Sequence, residues 1–408
     1  MTERVHLQYD QSEDEVEITS RVSGNAFANY SILVAYACGL SFGFHLTALE
    51  IIKKLYFTHN APYTLKEFYM LASLLFISPL AGSVLYNNIN MKLNLWIGLI
   101  LLLHSISGIG LIFSYLPTLY AFRCAAGVAI GLSTAVVPQY VSRIKKKRRG
   151  FYIFLFQVSI LTGILIGQIL SYCTSTVLSF RISFATFSII NAACAFMSLS
   201  IQQLAESKVR GESGGVHSLL TSSRHIKSVL LALCIHIGQQ MTGINGVIVY
   251  SNTLLEKNPG NPQIRTILIG LFSLVVTLVS SAFVDVFGRK VLLLMSSTII
   301  AVSLALLTTK KYVLAAVLAF QFGYSIGLGP ITWLLTNELF PINYQQAANS
   351  ICVTANWFCA FLVVISFEHL YLSAANALIW FYVVCMAIFA AVFLFYYKET
   401  KGKEPNFQ

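Results

Sequence analysis

Charge is scarce in this chain. Only 11% of its 408 residues are Asp, Glu, Lys or Arg, against about 25% in an average soluble domain. A chain of this size folded in water needs far more polar surface than that, which excludes a soluble enzyme. An apolar content of 56% excludes a disordered chain. Cysteine is sparse too. The eight Cys lie scattered in apolar stretches with no CxxC pair, so a secreted disulfide scaffold is excluded and they read as small buried hydrophobes. No HExxH, no metal-ligand cluster and no recognisable Ser/His/Asp spacing occurs, so no intramembrane enzyme, metal or cofactor is expected. A cleavable signal peptide is missing as well. Residues 1–27 are polar and carry Glu13, Asp14, Glu15 and Glu17; they are expected to form a flexible cytosolic tail.

What the chain does have is apolar runs of the length that crosses a bilayer core as a helix. Twelve are expected, over 28–49, 68–87, 93–114, 117–142, 150–172, 178–201, 226–250, 264–285, 290–309, 312–337, 343–367 and 373–397. They are continuous, unlike the short alternating segments of a transmembrane barrel. The polar break at 204–225 divides six spans from six. The expected architecture is therefore an all-α membrane protein of twelve transmembrane helices in two pseudo-symmetric six-helix bundles, 28–203 and 226–397. The break is a short cytosolic linker, and 398–408 is a cytosolic tail. Lys and Arg fall mostly on one side of this arrangement, the side of both termini, which the positive-inside rule makes cytosolic. The formal charge of +11 then reads as orientation and contact with anionic lipid rather than nucleic acid. The run Lys145 to Arg149 is its densest part.

Span seven contains Gln239-Gln240-Met241-Thr242-Gly243-Ile244-Asn245-Gly246, with Tyr250 beyond. Three carboxamides inside a membrane helix need partners, because unpaired amides in hydrocarbon cost several kcal/mol. They either glue helices together or face a wet cavity. On a straight helix Asn245 points about 240° round from Gln239. One cavity sees all three amides only if the helix bends near Gly243 and Gly246. Broken helices of this kind mark transporter binding sites.

This stretch resembles the sugar-porter branch of the major facilitator superfamily. Arg123, Gly127, Gly131, Pro138 and Tyr140 follow its R-x3-G-x3-G-x6-P-x-Y pattern, and Arg149-Gly150 continues it. Gln157 and Gln168 fit its span-five glutamines. Asp285 to Lys290 is similar to its acidic-x-x-G-R-R/K turn. Gly327 to Trp333, Glu338 to Pro341, Asn356-Trp357 and Lys398 to Lys403 match further signatures. The resemblance runs from Ala28 to Lys403. It implies a hexose transporter, most readily of D-glucose, working by alternating access in the plasma membrane. A small sugar and the lipid bilayer are the implied partners; no oligomeric state is implied, and a monomer is compatible. Carboxamides suit hydroxyl recognition because they offer donors and an acceptor and stay neutral at every pH. Gln157, Gln239, Gln240, Asn245 and Asn356 are the expected hydroxyl readers. Trp333 either covers the sugar ring face or anchors span ten at the interface. Arg149, Asp285, Arg289 and Glu338 either tie the halves together at the cytosolic side or stand as solvated interfacial charges. Arg123 either faces a cavity or reaches out to the headgroups.

The chain departs from the family pattern in places. The first-half G-R-R turn is nearly erased, since Tyr86 to Lys92 carries one cation. Arg143 stands where the family has an acid, and Gln345 where it has an arginine. An acid–arginine tie between the halves is therefore expected to be missing. Val249 and Ser273 replace an aromatic and an asparagine. The family's PESPR segment survives only loosely as Ala205 to Arg210. Proton-coupled members carry an aspartate within FGYD, here Phe42-Gly43-Phe44-His45. No Asp or Glu falls at mid-depth of any span. Uniport is thus the expected mode, with a proton-coupled symporter using His45 as the alternative. A non-transporting sugar sensor is the other, though the short tail after Tyr397 is unlike a signalling extension.

Overall fold

The structure is a computed structural model that describes residues 2–56, 64–113, 115–203, 215–221, 225–249 and 261–408. Ala205 to Arg210 and Tyr250 lie outside the described residues. Among those described, the chain is helical throughout, with no strand. The first half comprises α1 (Thr2–Tyr56), α2 (Leu65–Ile77), α3 (Pro79–Asn88), α4 (Leu93–Leu111), α5 (Leu116–Ile144), α6 (Arg149–Cys173) and α7 (Val177–Met197). After the short α8 (Val216–Thr221), the second half comprises α9 (Ile226–Gln240), α10 (Ile244–Val249), α11 (Pro262–Phe287), α12 (Arg289–Leu307), α13 (Val313–Ile326), α14 (Leu328–Leu339) and α15 (Gln345–Tyr396). The backbone of α1 is helical from Thr2, within the stretch expected as a tail.

Local chemistry sets these boundaries. Thr64 caps α2 in a reciprocal box with Glu67: the Glu67 N–H donates to Thr64 Oγ1 at 3.4 Å, and the Thr64 N–H donates to the Glu67 carboxylate. Thr176 and Ser179 do the same for α7. Asn261 caps α11, with Pro262 in the first turn. Pro79 splits span two into α2 and α3. α15 holds two spans, merged across a non-helical residue at Ala374.

Eleven helices among the described residues are long and apolar enough to cross a membrane. The expected twelfth, 226–250, is broken into α9 and α10, so neither piece qualifies alone. Large apolar side chains point outward, Phe395 being 77% and Phe196 75% exposed. Such a surface suits lipid and not water.

Each half packs on itself first: α1 along α6, α4 against α5 and α7, α12 against α13 and α15. The halves then meet along two seams, α6 on α11 and α15 on α2 and α3. Hydrocarbon offers no hydrophobic drive between helices, so close approach of small residues does the work. At the α1–α6 crossing a Cβ on Gly43 would stand 1.9 Å from the Ile160 carbonyl oxygen, and one on Gly163 would stand 1.9 Å from that of Leu40. Gly163→Leu should force these helices apart, at a cost of about 1–3 kcal/mol or more. The measurement is the melting temperature of the purified protein in detergent, where a marked drop is expected.

Candidate functional site

The break in span seven comes from its own residues. The helix closes with the Met241 N–H on the Ile237 carbonyl at 2.9 Å. Gly243 then takes φ +78°, a left-handed conformation that side chains resist, and α10 restarts. The Thr242 hydroxyl bridges the gap: it donates to the Gln239 carbonyl at 2.6 Å and accepts from the Ile244 N–H at 3.1 Å. A straight helix would hold Gln240 and Asn245 about 140° apart. Here Asn245 Nδ2 donates to Gln240 Oε1 at 2.6 Å.

The break faces a cavity of about 70 Å³. A single water needs roughly 10–15 Å³ on the same measure, so there is room for several. Phe42, Gln157 and Ile160 line it from the first half; Gln239, Gln240, Asn245, Trp333 and Asn356 line it from the second. All six expected binding residues are thus brought together, and Trp333 stands inside the bundle at 6% exposure rather than at its rim. Gln168 does not join them; a Cβ on Gly270 would stand 2.5 Å from its Oε1, so it packs at the α6–α11 seam.

The amides form one network. Gln239 Nε2 donates to the carbonyls of Gly329 at 2.9 Å and Leu328 at 3.2 Å. Both belong to the first turn of α14, after Gly327; the break itself is bridged by Ser296 Oγ, which donates to the Gly323 carbonyl at 2.6 Å and accepts the Leu328 N–H at 3.0 Å. Its Oε1 accepts from Asn356 Nδ2 at 2.8 Å and Gln240 Nε2 at 3.3 Å. Gln240 Nε2 also donates to Asn356 Oδ1 at 3.1 Å, and Asn356 Nδ2 to the His236 carbonyl at 2.9 Å. Gln239 and Asn356 therefore have every donor engaged. Beside the cavity, bonds also cross between the halves. Trp333 Nε1 donates to Gln157 Oε1 at 3.2 Å, and Trp357 Nε1 to Thr134 Oγ1 at 3.2 Å. His236 lies edge-on to Trp333, with ring centroids 5.6 Å apart, and pairs with Thr336 Oγ1 at 2.9 Å. Sequence reasoning missed Gln321, Ser325 and Thr277, which also line the cavity. The available signal was a lone carboxamide in the apolar run of α13.

At the basic end of the bundle Arg289 is the hub. Its guanidinium takes both Glu338 oxygens, at 2.7 and 3.0 Å, and Asp285 Oδ1 at 2.9 Å. These three residues all belong to the second half. The tie to the first half is Asp285 Oδ2, which accepts the Phe151 N–H at the start of α6 at 3.0 Å. A carboxylate suits a helix N-terminus, where free N–H groups and the helix dipole favour negative charge. Gly150 permits the approach, since a Cβ there would stand 2.5 Å from Asp285 Oδ1. Arg149 stands apart from this cluster and donates to the Lys403 carbonyl at 3.3 Å. Where the acid–arginine tie was expected to be missing, Arg143 Nη2 reaches the Ile342 carbonyl at 3.3 Å. Neutral bonds join the halves nearby: Gln346 Nε2 to the Tyr86 carbonyl at 2.7 Å and Ser350 Oγ to that of Ser83 at 2.6 Å.

The candidate coupling residues sit elsewhere. His45 is fully buried outside the cavity lining, stacked on His104 with centroids 5.1 Å apart and edge-on to Phe187. Its ring nitrogens, like those of His104, have no hydrogen-bond partner among the described residues. Arg123, 1% exposed, is turned inward and not toward the headgroups. It donates to the His45 carbonyl at 2.8 Å and the Leu71 carbonyl at 3.4 Å.

A family model described as "Sugar (and other) transporter" matches residues 31–201 and 197–405. The chain is 30% identical over 208 residues to the facilitated trehalose transporter Tret1 of Bombyx mori, covering 47% of this chain and 41% of that protein. It is 27% identical over 338 residues to the facilitated glucose transporter member 2 of Gallus gallus, covering 69% and 63%. Against the sugar transporter ERD6-like 7 of Arabidopsis thaliana it is 26% identical, covering 69% and 71%. The chain spans about half the length of the Tret1 proteins of Bombyx mori and Apis mellifera ligustica, 41% and 44%. Among solved structures, the proton:xylose symporter XylE bound to 6-bromo-6-deoxy-D-glucose superposes with a TM-score of 0.80 at 20% identity, covering 94% of this chain and 98% of that one. The inward-open XylE from E. coli gives 0.68 at 22% identity, covering 91% and 97%. The fold is the all-α major facilitator fold.

Glu399 closes the basic end from the tail. Its carboxylate accepts the N–H groups of Arg289, Lys290 and Lys401 at 3.1, 2.8 and 2.8 Å. Burial pushes this carboxyl up, but those donors and the Arg289 charge outweigh it and hold it below the usual range. A carboxylate so depressed stabilises the fold above its unfolded pKa, and the benefit is lost as pH falls through the folded value. Thermal melts of the wild-type protein should therefore drop as pH falls below about 4. In Glu399→Gln part of that acid dependence should vanish; identical profiles would contradict the assignment.

Proposed function

The chain belongs to the sugar transporter family, and from that premise we propose that it carries a hexose, D-glucose foremost, by alternating access and without coupling to protons. The observation that carries this reading is the amide-lined cavity between the halves. A hexose has a rim of hydroxyls and an apolar ring face. Gln157 Nε2 and Asn245 Oδ1 have no protein partner among the described residues and are the first groups a hydroxyl meets. Gln240, bonded only to other side chains, exchanges an amide partner for a hydroxyl at little net cost. Trp333 gives the ring face an apolar wall. Its indole N–H, now on Gln157, is released to the sugar when the two part. Each such bond is worth about 0.5–1.5 kcal/mol net. Millimolar affinity, only about −4 kcal/mol, suits a carrier that must let go.

Alternating access is then a rocking of residues 28–203 against 226–397 about this site, with the basic end facing the cytosol of a plasma-membrane protein. That end is shut when Asp285 caps α6. Opening it breaks the bond to Phe151 and leaves Arg289, Glu338 and Asp285 paired with one another, so no buried charge is stranded. Uniport is supported by the cavity lining, which has no carboxylate among the described residues. A second reading, proton symport through His45, rests on the unpartnered ring nitrogens of His45 and His104.

Purified protein in liposomes should take up D-glucose down its gradient with no pH gradient imposed. Asn245→Ala and Gln240→Ala should each raise KM about three- to ten-fold, with the protein still monodisperse. Unchanged KM in both variants would remove these residues from the site. Uptake seen only under an imposed proton gradient and abolished by His45→Ala would replace uniport with symport. Binding without uptake would make the protein a sensor.

A further inference from the structure

The amides expected to read the ligand are largely engaged with one another, so a ligand must look to other groups on the wall. Gln321 is one. It lies on α13, 7% exposed, and its side chain lines the cavity. Its carboxamide has no hydrogen-bond partner among the described residues. The neighbouring Thr277 hydroxyl already donates to the Ser273 carbonyl at 2.9 Å and has only lone pairs left to offer. Ser325 follows one turn after Gln321 on the same face of α13 and lines the cavity too. Gln321 and Ser325 thus add donors and acceptors in reach of the cavity that no protein group among the described residues engages.

Position separates Gln321 from the rest of the site. It precedes the break at Gly327, whereas Gly329, Pro330 and Trp333 follow it. Along span ten Trp333 lies twelve residues beyond Gln321, about 18 Å of helix if it were straight. Gln321 therefore reaches a bound ligand from the α13 side of the break and Trp333 from the α14 side. Facing the cavity, the Gln321 carboxamide is left to water, and a ligand hydroxyl that takes a water's place there keeps its hydrogen bonds made.

We propose that Gln321 is a specificity-determining residue of this site. Its carboxamide bonds one hydroxyl of the bound sugar, from the α13 side of the break. The proposal rests on reading the cavity as a sugar site. It predicts selectivity of a particular kind: removing that one hydroxyl from the ligand and removing the amide from the protein are the same loss.

The test is the thermal stabilisation of purified protein by D-glucose and by each of its monodeoxy analogues, in wild type and in Gln321→Met, which keeps the length of the side chain and removes its polarity. Gln321→Asn is the second variant. In wild type one analogue should bind about three- to ten-fold more weakly than D-glucose through the missing bond. In Gln321→Met, D-glucose should weaken by that factor while that one analogue binds as it does to wild type. Gln321→Asn should recover part of the D-glucose affinity. The same ranking of all sugars in wild type and Gln321→Met, or an equal loss for every sugar, overturns the assignment of Gln321 alone. A wild-type protein stabilised by none of these sugars overturns the sugar-site reading and this proposal with it.

Discussion

A backbone carbonyl set free inside a membrane has to find a donor in the protein. Among the described residues, span seven is broken at Gly243 and span ten at Gly327, and each break releases such groups. Hydroxyls answer this requirement at both places, Thr242 Oγ1 donating to the Gln239 carbonyl at the first break and Ser296 Oγ to the Gly323 carbonyl at the second. Gln239 then joins the two broken spans, since it lies in the last turn of α9 and its Nε2 donates to the Leu328 and Gly329 carbonyls in the first turn of α14. Asn356 from α15 completes the joint by bonding the His236 carbonyl and Gln239 Oε1. Three spans are thereby locked into one wall, and the wall is what gives Gln240, Asn245 and Trp333 their places. The arrangement is a scaffold first and a recognition surface second.

The basic end of the seam between the halves is built differently from this centre. At the basic end strong charges are kept within one half, with Arg289 satisfied by Glu338 and Asp285. Only a lone pair of Asp285 reaches across, to the Phe151 N–H. Around it the bonds from Gln346 and Ser350 to backbone carbonyls are neutral, and the Arg143 guanidinium crosses only to a backbone carbonyl, not to a carboxylate. Neutral bonds of about 1 kcal/mol each break and reform readily, whereas separating a buried ion pair costs several. A contact surface of this kind closes firmly without closing for good.

Much of this was legible in the chain. Run lengths identify the spans, and the requirement that Gln239, Gln240 and Asn245 see one cavity already calls for a bend at Gly243. Which face Arg123 presents was not legible, because a cation in a span has two outlets and only the surrounding helices choose between them. The engagement of Gln239 was not legible either. A sequence shows that a carboxamide lies in a span, but not that the first turn of a helix ninety residues on brings its carbonyls beside it. For Arg149, expected among the gating charges, the nearest demand for a cation turned out to be a tail carbonyl at Lys403. Gln321 escaped notice because it stands alone, and a lone polar residue in a span says nothing about which way it faces.

The central claim is that an amide wall in one half and Gln157 in the other enclose a sugar. An experimental structure at saturating D-glucose measures it most directly. The account predicts sugar oxygens within hydrogen-bond distance of Gln157 Nε2 and Asn245 Oδ1, with the Trp333–Gln157 bond opened. An occupied protein in which that bond stays closed and the sugar lies outside the cavity would contradict it.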